Sequence, residues 1–105
     1  MAKFFRLQLG SYTLEEMQTH SSGDGGDGFG EEGGVCATRS VSDLLNNTVY
    51  EFAKNDDAEI VVISGHNPLE IYDGVRVYPE AILKRFTGAE FRGMVADKSA
   101  WDLED

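Results

Sequence analysis

The segment Gly23-Asp24-Gly25-Gly26-Asp27-Gly28 spells G-x-G-x-x-G, a spacing that lets a tight turn bring backbone N–H groups onto a pyrophosphate. Its surroundings do not fit that chemistry. No strand pattern precedes it, no Lys-Ser/Thr pair comes after it, and Asp24, Asp27, Glu31 and Glu32 would repel a phosphate. The same acids present hard oxygens three residues apart, the donor type calcium prefers. Yet the twelve-residue EF-hand spacing is absent and the Asp/Gly pattern does not repeat. The expectation is a solvated loop and no metal site.

Cys36 is the single cysteine, and His20 and His66 are the two histidines. A nucleophilic thiolate needs a base or cation beside it, and no sequence neighbour of Cys36 supplies one. In an alternating strand it reads as a small buried hydrophobe. The histidines lack the short ligand spacing of a zinc site, which would need two more donors. A lone thiol excludes an intramolecular disulfide framework and suits a reducing cytoplasm, the expected location. Trp101 is different, because Asp102, Glu104 and Asp105 crowd around it. Such an aromatic can anchor a basic partner, or it can fold back to seal an edge of the core.

The charge supports the first use of that tail. Nineteen acids against nine bases give a formal net charge of −10. No Lys or Arg falls between Leu7 and Thr38, whereas Arg76 to Lys98 leans basic. A field of this sign repels nucleic acid and anionic membranes and attracts basic proteins. Direct nucleic-acid binding and membrane binding are therefore not expected. The start lacks the apolar core of a secretory signal, and Ile60 to Ile63 is too short a run to span a bilayer.

The elements that must position these groups fit one domain over 1–105, with 41% hydrophobic residues for one modest core. Phe5, Leu7 and Leu9 alternate with Phe4, Arg6 and Gln8, which predicts a first strand ending at Gly10. Thr13-Leu14-Glu15-Glu16 is a capping box opening a helix to about His20. Ser21 to Gly34 holds seven of the twelve glycines interleaved with acids, and reads as a mobile loop.

Val35 to Thr38 resumes extended structure, and Ser40 caps a helix carrying Val41, Leu44, Leu45, Val49 and Phe52 as one stripe, ending at Asn55-Asp56-Asp57. Glu59 to Ile63 is a β-branched central strand. Gly65 to Pro68 and Asp73-Gly74 are turn signals, and a strand is predicted next at Val75 to Tyr78. Pro79 to Phe86 reads as a helix stopped by Gly88, Glu90 to Ala96 as a last strand, and Lys98 to Asp105 as an acidic, partly frayed tail. The order β-α-loop-β-α-β-β-α-β is α+β: a small mixed sheet with two or three short helices.

This order carries a resemblance. Phe4-Phe5-Arg6, then Gly34-Val35-Cys36-Ala37-Thr38-Arg39-Ser40, and finally Asp73-Gly74-Val75-Arg76-Val77-Tyr78-Pro79 together resemble the ADP-ribosyltransferase fold, including compact phage versions of the anti-CRISPR type. The resemblance implies that Arg6 grips NAD, that Thr38 with Ser40 braces the site, and that Asp73 stabilises an oxocarbenium-like transition state. The family places its acid, usually Glu, nearer Val75, two residues beyond Asp73.

The residues thus support two readings. In the first, the chain is a small acidic protein that inhibits a basic, nucleic-acid-handling partner, as phage counter-defence proteins do, through Glu31, Glu32, Trp101, Asp102, Glu104 and Asp105 and without a cofactor. In the second, it is a minimal transferase using NAD to modify a host protein through Arg6, Thr38, Ser40 and Asp73.

Overall fold

In the computed structural model, residues 2–20, 34–47, 50, 54, 58–71 and 74–105 are described. Strand β1, Lys3–Leu9, buries both of its faces from Phe4 to Gln8, and only Leu9 of the expected inward set lies exposed. It pairs antiparallel with β3, Ala58–Ile71, so that Phe5 faces Val62 and Leu7 faces Ile60. β3 pairs antiparallel with β4, Gly74–Thr87, and β4 with the short β2, Val35–Ala37. The sheet order is β1-β3-β4-β2. All these pairings are antiparallel, which corrects the expected mixed sheet to an antiparallel one within the α+β class.

The two outer strands also meet. Phe5 N–H donates to the Thr38 carbonyl at 2.9 Å and Thr38 N–H donates back to Phe5 at 2.8 Å. This exchange draws the sheet toward closure and wraps one face around a cluster of Phe4, Val35, Ala37, Val61, Ile63, Val75 and Val77. Helix α1, Leu14–His20, contributes Met17 to that cluster. Its predicted capping box is present: Thr13 Oγ1 accepts from Glu16 N–H and the Glu16 carboxylate accepts from Thr13 N–H.

The opposite face carries Phe5, Leu7, Ile60 and Val62. Three elements cover it. Helix α2, Val41–Asn46, brings Val41 and Leu44, and helix α3, Gly88–Ala96, brings Phe91. A 3-10 helix, η1, Ser99–Glu104, brings Ala100 and Leu103. Ser40 caps α2 as expected, accepting from Asp43 N–H at 3.0 Å. The helix is shorter than its stripe implied, because Asn47 has extended backbone. Val49, Phe52 and the expected stop at Asn55 to Asp57 lie outside the described residues, as does all of the expected loop except Gly34.

From Gly65 onward the local signals misled. Gly65 to Pro68 does not turn the chain; β3 runs through it, with its register to β4 slipping between His66 and Leu69. Asn67 takes a positive φ of 53° within that irregularity, a conformation asparagine tolerates better than most residues.

The predicted helix at Pro79 to Phe86 is the second half of β4. Two register shifts against β3 break its period of two, so Ile82 packs with the wrapped cluster and Phe86 with the helix-covered one. β2 reaches only Val75 to Val77, so Pro79 sits where that neighbour asks for no ladder donor. Gly88 does not stop a helix but begins one. Thr87 and Glu90 form a second capping box, and the predicted strand Glu90 to Ala96 is α3, with Phe91, Met94 and Val95 at helical spacing against the core. The tail does not fray over Ser99 to Glu104, because burial of Ala100 and Leu103 holds it as η1. No helix among the described residues is long and apolar enough to cross a membrane.

Candidate functional site

Arg6 lies on β1 on the wrapped face of the sheet, in register with Val61. Expected as either an NAD grip or an outward strand residue, it is 3% exposed. Its guanidinium donates to the Cys36 carbonyl at 3.0 Å and to Gln8 Oε1 at 3.3 Å. The polar chain continues. Gln8 donates to Glu59 Oε1 at 3.1 Å, and Glu59 pairs with Arg85, which reaches on to Ser11 Oγ and the Tyr12 carbonyl. A buried cation must have hydrogen-bond partners or it costs several kcal/mol, and this chain supplies them.

Thr38 is buried beside it, its hydroxyl directed at the Phe5 and Ser40 carbonyls. Ser40 Oγ is engaged as the α2 cap. The fold thus brings Arg6, Thr38 and Ser40 into one neighbourhood, on the seam between β1 and β2, but each is engaged within it. Asp73 lies outside the described residues.

The aromatic and acidic tail presents a second arrangement. Trp101 is 36% exposed, and its indole Nε1 donates to Ser42 Oγ on α2 at 3.2 Å. Buried Ala100 and Leu103 on either side hold its backbone, and Lys3 Nζ ties the far end of η1 by donating to the Leu103 and Asp105 backbone oxygens. The indole is therefore pinned at its polar edge with part of the ring in solvent. Asp43 of α2 and Asp102, Glu104 and Asp105 of the tail are all exposed. Glu31 and Glu32 lie outside the described residues.

The described acids differ in their company. Glu59 is paired with Arg85, Glu70 with Arg39 at 3.1 Å, and His66 Nδ1 stands 3.4 Å from Glu80. Among the described residues the carboxylates of Asp43, Asp102 and Glu104 make no ion pair. Asp43 and Asp102 directly follow Ser42 and Trp101, the two residues of the indole contact.

The remaining expected groups have structural surroundings. Cys36 lies half-buried on β2. The exposed His66 ring stacks on Tyr78 at 5.6 Å, and the Arg76 guanidinium lies 5.8 Å from the Tyr78 ring centroid. His20 ends α1. No grouping of three or more metal-ligating side chains occurs among the described residues. Burial pushes the Tyr50 hydroxyl above its ordinary pKa, opposed by nearby Arg92, and the ring packs edge-on against Phe91. The Asp97 carboxyl is held below its ordinary value by hydrogen bonds from Ser99, the first residue of η1.

Sequence alone does not mark Ser42 as the residue that holds Trp101, and it carries little signal that could. Ser42 acquires its role only because η1 folds back across α2. No protein-family model, curated protein or solved structure matches this chain.

Proposed function

We propose that the chain is a small acidic interaction protein that docks its α2/η1 face on a basic, nucleic-acid-handling protein and blocks the surface meant for phosphates, in the manner of phage counter-defence inhibitors. One observation carries the reading: a pinned, part-exposed Trp101 stands among acids that, within the described residues, have no cationic partner of their own. Desolvated aromatics supply much of the energy of protein interfaces, and complementary charge supplies rate and specificity. Glu31 and Glu32 would add to the same field by their charge. Unpaired surface acids cost little in the free protein and become favourable only when a basic surface arrives.

The test is a capture from a host lysate at low and high salt, followed by assay of the captured protein for nucleic-acid binding with and without the chain. Displacement of nucleic acid that fades as salt rises is expected. Replacing Asp43, Asp102 and Glu104 with Asn, Asn and Gln keeps shape and removes charge. If that variant displaces nucleic acid as well as the original does, the reading fails.

A further inference from the structure

We propose that the exposed face of Trp101 selects arginine over lysine, by accepting a partner's guanidinium plane stacked on the indole; the inference rests on the binding reading above and names the chemistry of the group bound. An indole that is free to rotate loses entropy when a ligand fixes it. This one is already fixed by the 3.2 Å bond from Nε1 to Ser42 Oγ and by the buried flanking residues Ala100 and Leu103. Its only polar group is thereby satisfied, so what remains for a partner is π surface. Tryptophan gives the strongest cation–π surface of the aromatic side chains.

Charge decides which occupant suits that surface. Asp43 comes directly after Ser42 on α2, and Asp102 directly after Trp101 on η1, both exposed and neither in an ion pair among the described residues. Lys3 Nζ is turned to the backbone oxygens of Leu103 and Asp105, and Lys98 stands exposed at the start of η1. A guanidinium is planar and more weakly hydrated than an ammonium, so it can lie flat on the indole. An ammonium is a compact, strongly hydrated point charge and gains less from the same face. Both cations feel the acidic field equally, so the difference between them isolates the ring.

The intact chain tests this directly, because Trp101 is its single tryptophan and reports on itself. Capped oligo-arginine and oligo-lysine peptides of equal length are titrated while indole fluorescence and binding heat are followed. The arginine peptide should bind about two- to fivefold more tightly, the span expected for an exposed cation–π contact, and should perturb the indole emission more. Trp101→Leu should bring the two peptides to equal affinity, and Trp101→Phe should leave a reduced preference. Where the leucine variant fails to fold, the phenylalanine variant and the emission change carry the decision.

Equal affinities in the original chain, or a preference that survives Trp101→Leu, overturn the arginine inference while leaving the acidic binding surface standing. Absence of binding by either peptide at low salt removes both. Asp43→Asn with Asp102→Asn should weaken both peptides together and keep their ratio. A ratio that collapses in that variant would move the selectivity from the ring to the carboxylates and refute the stacking.

Discussion

The two faces of β1 are built from alternate residues of one short strand, yet they solve burial differently. On the helix-covered face, Phe5 and Leu7 join an apolar cluster closed by Phe91, Leu44 and Leu103. On the wrapped face, Phe4 gives way to Arg6 and Gln8, and a polar chain runs from Cys36 through Glu59 to Arg85 along the end of the apolar cluster. An apolar face gains from area and is forgiving of direction. A polar chain gains little net energy but is costly when broken, so it specifies which strands meet and in which register. The seam between β1 and β2, made of one residue pair, lies where that specification is needed.

The heaviest losses should come from the apolar side. Phe91→Ala should cost about 3–5 kcal/mol in denaturant unfolding, because the ring is fully buried where α3 meets the sheet. Leu44→Ala, on the inward side of α2, should cost about 2–5 kcal/mol. Leu45→Ala should cost less, since Leu45 is only partly buried. Equal losses at 44 and 45 would mean that α2 faces the core differently.

On the polar side, Arg6→Met keeps the apolar stem and leaves the Cys36 carbonyl and Gln8 without their donor. A loss of about 1–3 kcal/mol is expected, the cost of buried unsatisfied groups. Wild-type stability in that variant would show that the polar chain does not organise the seam. It would also free Arg6 for a chemical role, which labelled NAD and the same variant would then examine.

Smaller effects are expected away from both faces. Gly93 sits in α3 with open space where a Cβ would stand, so Gly93→Ala should raise stability by up to about 1 kcal/mol. The Asp97 carboxyl, held below its ordinary value by Ser99, should show the smallest change. A depressed folded-state pKa stabilises above the unfolded value and loses that contribution as pH falls through the folded one. The step therefore lies below the ordinary value of 3.8, and Asp97→Asn should erase it from an acid-unfolding curve.

How far the candidate site was legible depends on the range of the interactions that make it. Trp101 and its acids stand out as types and neighbours in the chain, so their pairing was visible. The Ser42 contact was not, because it joins residues fifty-nine positions apart and needs both α2 and η1 in place. Arg6 was legible as a residue capable of chemistry, but its burial was not, since alternation alone assigns one face of a strand to solvent. Here the outer strands meet, so both faces of β1 are covered.

Elements with local causes could be read from the residues directly. β1 and the start of β3 come from β-branched and aromatic runs, and the starts of α1 and α2 from Thr13 and Ser40 hydroxyls that find amides three residues on. Beyond Gly65, long-range pairing took over. Pro79 to Phe86 carries helical signals, but the fourteen residues of β3 offer it a partner strand, and ladder pairing outweighs weak intrinsic propensity. Two register shifts then hide its alternation, and Thr87 becomes a helix cap only because β4 ends there. The acidic tail is ordered for the same reason: Ala100 and Leu103 have a core to enter once Phe91 and Leu44 have built its wall.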